Sequence, residues 1–270
     1  MSFYTSLSGM RNATTDLAVI SNNIANAESV GFKKSNAQFA DLVASSSATD
    51  PRKTPGIGAT VSRVSQDFAL GQLEQTGRAL DLAINGDGFI TTTDAISGDV
   101  SFTRNGNLEL DASGELQDAF GNRVLGFPTD AAGNPTSFTP ANIVVPTANA
   151  AGAGLSSIGI DLRGVVEATY TDGTVEAVAQ VALATFPATG GLRAVGLTKW
   201  EATAESGPPE YGQPGVGNYG QIRSGSLERS NVDLAEEIVS LLSAQRNFQA
   251  NARAVDTATA ITQAVLNLQR

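Results

Sequence analysis

Five aspartates, Asp87, Asp111, Asp118, Asp130 and Asp172, stand at or just before glycines. Carboxylate oxygens in such loops can ligate a hard cation such as calcium. The nearest approach to a metal loop is D-A-S-G-E at 111–115, which has neither the spacing nor the terminal glutamate of an EF-hand. Asp ahead of Gly is foremost turn chemistry, and these five are read as turns. N-G-D-G-F at 85–89 could cradle a phosphate, but it has no G-K-S/T and no helix pattern after it. It is read as a hairpin, because Asn-Gly is the strongest short hairpin signal. The pair Lys33-Lys34 is too small for nucleic acid and is read as solvated. No S-x-x-K is present, so a Ser–Lys nucleophile has no motif.

The chain has no histidine and no cysteine. That excludes disulfides, thiolate chemistry and imidazole or sulfur metal ligands, together with the usual general base near neutral pH. A hydrolase built on two carboxylates finds no supporting motif. We expect no catalytic residue, no cofactor and no metal. The net charge of −10 argues against nucleic acid, which needs clustered Lys and Arg. No run of about 18 apolar residues is present for membrane insertion. No basic, then apolar, leader opens the chain, so any export is expected to proceed without a cleaved signal peptide.

The elements that must position these residues read as helix, linker, β-rich middle, helix. In residues 1–27 a ladder runs through Phe3, Leu7, Met10, Thr14, Leu17, Ser21 and Ile24, a heptad seam of period about 3.5. Asp233 followed by Glu236 opens a second helix. Its ladder is Leu234, Ile238, Leu241, Gln245, Phe248, Ala252 and Val255, continuing through Ala258, Ile261, Val265 and Leu268. At ~1.5 Å per residue this helix spans about 54 Å. Residues 31–60 look irregular, and 45–58 is rich in Ser, Pro and Gly. Beyond 61 come short strands and glycine turns. Hairpins are expected at Asn85-Gly86, at Asn105-Gly106 and around 171–173, with Trp200 in the β core. Residues 129–160 read as extended connections. The fold class is α+β: coiled-coil-like terminal helices (1–30 and 231–270), a linker (31–75) and a mainly antiparallel β body (76–230).

Both helices carry little charge. Residues 1–30 hold only Arg11, Asp16 and Glu28, and residues 238–270 only Arg246, Arg253, Asp256 and Arg270. A solvated helix face carries far more. Two arrangements fit: an intramolecular hairpin beside a β domain, or burial against sister copies. The charge depletion favours the second. Gln245, within the ladder, would then fix register between copies.

S-N-N-I-A-N-A-E-S-V-G-F-K-K at 21–34 resembles the signature of bacterial flagellar rod and hook axial proteins. The residues carrying it are Asn22, Asn23, Ile24, Asn26, Gly31, Phe32 and Lys33. T-G-R-A-L-D-L-A-I-N-G-D-G-F at 76–89 and F-T-R-N-G-N-L-E-L-D at 102–111 are similar to the same family. So are S-G-S-L-E-R-S-N-V-D-L-A-E-E-I-V at 224–239, with Asn231 and Val232, and A-Q-R-N-F-Q-A-N at 244–251, with Gln245 and Arg246. The opening M-S-F-Y-T-S-L-S-G-M looks like hook proteins in particular. Ile90 departs from the family, which places a second Phe there, and the outer domain of hook subunits looks missing or vestigial. The resemblance implies a hook subunit, with a rod protein as the alternative. It implies a self-assembled helical tube that passes motor torque to the filament. The implied partners are other copies, neighbouring rod and hook–filament junction proteins, the flagellar export apparatus and the hook cap. The implied location is the flagellar hook or basal body, reached by export. An extracellular binding module is the reading from a different class.

Overall fold

The computed structural model describes residues 2–43 and 56–268. The chain forms two compact units. One comprises Met1–Ala27, Lys34–Asp67 and Val232–Arg270; the other comprises Glu28–Lys33 and Phe68–Asn231.

The first unit holds helices α1 (Ser2–Ala25) and α2 (Leu234–Leu268) and strands β1 (Ser35–Val43) and β2 (Gly56–Gln66). Asp233 caps α2: its Oδ1 accepts the N–H groups of Ala235 at 2.8 Å and Glu236 at 3.2 Å. Glu236 and Glu237 follow in the first turn, where the helix dipole favours negative charge. The two helices run antiparallel, with Asn23 of α1 beside Glu237 and Gly9 against Asn251. A Cβ on Gly9 would overlap the Asn251 amide, so glycine permits this close approach. The irregular reading of 31–60 is corrected: β1 and β2 pair antiparallel from Ser35↔Gln66 to Val43↔Gly56, with two register shifts. Both strands are largely exposed along their length, so they carry little of the inside–outside alternation that marks a strand in sequence. Residues 45–55 of the expected linker lie outside the described residues.

In the second unit the strand pairings among the described residues are all antiparallel. The main sheet runs in the order Leu155–Ile160, Val165–Tyr170, Val175–Val181, Arg123–Pro128, Phe89–Thr93, Val100–Thr103, Lys199–Glu201, Arg193–Gly196. Its core includes Leu82, Ile90, Leu116, Val166, Tyr170 and Val181, all buried. A second cluster gathers Phe89, Phe102 and Trp200. Phe68 meets Phe89 and Trp200 edge-on at 5.3 and 5.4 Å, a favoured aromatic geometry. Residues 129–160 are more regular than expected, since Leu155–Ile160 is a full strand beside Val165–Tyr170. The hairpin turning at 171–173 forms as read.

The two Asn-Gly hairpins do not form. Leu82–Asn85 pairs with Gln221–Ser224, whereas Phe89–Thr93 pairs with Val100–Thr103. Residues 85–88 therefore cross between sheets. A Cβ on Gly86 would lie 2.9 Å from Gly220 Cα, so the glycine serves a chain crossing. Asn105-Gly106 likewise links strands that pair elsewhere. Most turns use another signature, D/N-x-x-G. At Asp111, Asp118, Asp130, Asn149 and Asp161 the side-chain oxygen accepts the N–H groups of the second and fourth residues onward, at 2.8–3.0 Å. In each, the glycine three residues on has φ between +76° and +85°. This is the type I turn with a left-handed glycine.

Those bonds make the body acid-sensitive. Asp111, Asp130 and Asp172 are held below the ordinary carboxylate range. The leading donors are the Ser113 hydroxyl, the Asn134 N–H and the Thr174 hydroxyl, respectively. Carboxylates depressed in the folded state stabilise above their unfolded pKa of about 3.9, and that stability is lost as pH falls through the folded values. Asn149 shows that asparagine suits the same turn. D111N/D130N should therefore lose stability less steeply than wild type between about pH 5 and pH 2. Denaturant midpoints followed by Trp200 fluorescence measure this, and an unchanged acid slope would refute it.

Candidate assembly surfaces

The buried stripe between α1 and α2 is offset from the expected seam. On α1 the most enclosed side chains are Ala13, Ile20 and Asn23, and on α2 Glu237 and Ala244. Leu7, Met10, Leu17 and Ile24 flank this stripe, half-buried, as do Leu241, Phe248 and Val255. Phe3, Leu234, Ile238, Gln245 and Ile261 are exposed. The side chains of Val265 and Leu268 lie outside the described residues. Small residues let the two backbones approach, so the larger apolar groups are displaced to the flanks. Leu234, Ile238, Val239 and Leu242 are 43–64% exposed in the single chain, an apolar face without a cover.

One polar node lies inside this unit. Asn23, 1% exposed, donates to the Ser35 carbonyl at 2.8 Å and to Glu237 Oε2 at 3.2 Å, and accepts the Ser35 N–H at 2.9 Å. Lys34 Nζ lies 2.7 Å from Glu237. That hydrogen bond leads the causes that raise the Lys34 pKa. Asp16 is also pushed up, by burial first and then by the Glu237 carboxylate. Asn23 thus fixes the start of β1 against both helices. The neighbouring motif residues do less: Asn22 is exposed and offers its carbonyl to the Asn26 amide.

A second constellation lies wholly within the β unit. Lys33, read as solvated, is buried with Glu228, and their charged atoms are 2.5 Å apart. Lys33 also donates to the Ala69 carbonyl at 2.7 Å. Glu228 Oε1 accepts the Gly71 N–H at 2.9 Å, and Arg104 Nη1 reaches Oε2 at 3.4 Å and the Gly86 carbonyl at 2.9 Å. Burial depresses the Arg104 pKa, while Glu228 and Asp87 oppose that shift. Gly31 donates its N–H to the Glu228 carbonyl at 2.8 Å, and Asn231 Nδ2 reaches Ala69 at 3.2 Å. Phe32 and Val232 are half-buried, and Arg246 is exposed. A buried ion pair needs further hydrogen bonds to offset its desolvation; Lys33 and Glu228 have them, whereas Arg104 Nε is buried with no partner among the described residues. The triad pins the stretch 28–33 and the stretch 226–231 into the β body, where the chain enters and leaves it. Sequence reading missed Glu228 and Arg104. The available signal was a charged residue inside the short runs L-E-R and F-T-R, which read as strands.

Charge is divided unevenly. Acidic and basic residues balance in the helix unit, so the whole formal charge of −10 resides on the β body. Among the described residues no helix is long and apolar enough to cross a membrane.

Residues 3–33 match the family model described as flagella basal body rod protein, and residues 83–168 that of the flagellar hook protein FlgE/F/G D1 domain. Residues 223–268 match the flagellar basal body rod FlgEFG protein C-terminal model. The chain is 35% identical over 282 residues to the flagellar basal-body rod protein FlgG of Bacillus subtilis, covering 100% of this chain and 99% of that protein. It is 32% identical over 279 residues to FlgG of Caulobacter vibrioides, with 98% of each covered. It is 26% identical to the flagellar hook protein FlgE of Salmonella typhimurium over 411 residues, covering 100% of both. These relatives are named for structural parts of the flagellum and not for a reaction. Matching models at both ends and in the middle, and a relative at 35% identity along its whole length, make this chain a member of the flagellar rod and hook family of structural proteins.

Proposed function

We propose that this chain is a rod subunit of the flagellar basal body, polymerising into a helical tube through α1 and α2. The carrying observation is length. The Bacillus rod protein aligns over 282 positions and the Salmonella hook protein over 411, against a chain of 270 residues. The hook relative thus carries a long segment without counterpart here, at lower identity. The rod alternative takes precedence over the bendable hook of the sequence reading.

The helices supply the self-association. Their heptad spacing suits a coiled-coil-like inner layer, and the exposed apolar face of α2 needs covering by other copies. Glycine and asparagine in α1 lower its intrinsic helicity, so it is expected to be marginal alone and to order on packing. Neighbouring axial proteins would be the end partners of the tube, and the flagellar export apparatus its route. No catalytic role is assigned.

Removing residues 1–27 or 233–270 is expected to abolish polymer formation, measured by sedimentation and negative-stain microscopy, while the β body keeps its Trp200 emission. Truncated chains that still build tubes would end the proposal. In cells lacking the protein, an incomplete rod is expected; a complete rod without a curved hook would restore the hook reading.

A further inference from the structure

The outer face of α2 has an order of its own. Val239, Leu242, Arg246 and Arg253 follow one another at helical spacing on the side away from Glu237 and Ala244, and all four are exposed. Neither arginine has an ion-pair partner among the described residues. Near the start of α2 the charge is opposite. A cleft of about 330 Å³ there is lined by Asp16, Glu236 and Glu237, with Lys34 as its cation. The Glu236 side chain is 67% exposed, and among the described residues its ion-pair contact is with Lys34 at 3.5 Å. Burial and Glu237 raise the Asp16 pKa, and Asp16 has no ion-pair partner among the described residues.

A second feature gives direction. Because α1 is antiparallel to α2 and begins at Ser2, α2 runs past it. From Thr259 to Ala264 every residue is exposed, and Ile261 and Leu266 are each 60% exposed. A second copy moved along α2 towards its C-terminus by about ten residues, ~15 Å, would lay its own helices beside this overhang. The same shift brings the Glu236 of that copy level with Arg246. Covering the overhang and pairing the charges therefore require one displacement.

Resting on the polymer reading above, we infer that successive copies associate head to tail, with the Arg246/Arg253 stripe of one copy seated on the acidic Asp16/Glu236 cleft of the next. The contact joins two different surfaces, so it does not close on itself and propagates as a filament. Glu237 is already engaged by Asn23 and Lys34, which leaves Asp16 and Glu236 as the groups that receive the arginines.

Charge reversal tests the pairing on the full chain. R246E/R253E and D16R/E236R should each polymerise roughly tenfold more slowly than wild type, because like charges then meet at the contact. Mixed in equal amounts, the two variants should recover near-wild-type rates, since alternation restores opposite charges at every contact. Circular dichroism of each variant checks that α2 remains helical. Wild-type rates for R246E/R253E alone, or failure of the mixture to recover, would overturn the pairing while leaving the polymer reading intact. A wild-type chain that stays monomeric at all concentrations would overturn both.

Discussion

Glu228→Ala is expected to lower the unfolding free energy of the β body by about 3–5 kcal/mol, the cost of leaving buried charge uncompensated. Lys33 and Arg104 both lose their carboxylate, and the Gly71 N–H loses its acceptor. Neither cation can turn to solvent, since Lys33 is 1% and Arg104 3% exposed. Denaturant unfolding monitored at Trp200 measures the loss. The double variant K33M/E228L should recover part of it, because an apolar pair of similar volume removes the desolvation cost. A Glu228→Ala protein within about 1 kcal/mol of wild type would show that the triad is not what holds the two stretches.

Gly31→Ala should be nearly as damaging, for a different reason. Its φ is +69°, and an added Cβ would lie 2.6 Å from the Asn105 nitrogen. The left-handed conformation alone costs an L-residue roughly 1–2 kcal/mol. The clash with backbone that cannot yield should bring the total to about 3 kcal/mol or more. Gly152 provides the control: φ is +85° there, but the space around it is open. Gly152→Ala should show the conformational cost only, about 1 kcal/mol. Equal effects at the two positions would mean that the packing of Gly31 on 104–105 is unimportant.

The helices were legible because periodicity and the Asp233 cap act locally. Their buried stripe was not. Heptad reading follows large apolar residues, whereas the antiparallel pair closes on Ala13, Gly9 and Ala244, which carry little hydrophobic signal. The β body was legible as a class but not in its pairings. Asn-Gly suggested hairpins at 85–86 and 105–106, yet those glycines relieve chain crossings, a requirement set by residues far along the sequence. The D/N-x-x-G turns were visible throughout, and only their recurrence at fixed spacing was overlooked. Asp87, grouped with them, belongs instead to a crossing. The ionic triad left only charges inside the short runs L-E-R and F-T-R as a signal, and its pairing was not legible: Lys33, Arg104 and Glu228 are remote in sequence, and a lysine beside a second lysine looks solvated. Family motifs marked Lys33 and Gly31 without giving the physical reason, which is burial against the β body.

The uneven division of charge has a colloidal consequence. Helix units free of net charge can be concentrated side by side without building up a repulsive field, while each added subunit brings ten negative charges on its β body. With the Debye length near 8 Å at physiological salt, such bodies repel only at close range. Chains carrying this charge would stay dispersed at low salt and associate more readily once the field is screened, much as a charge-stabilised latex does.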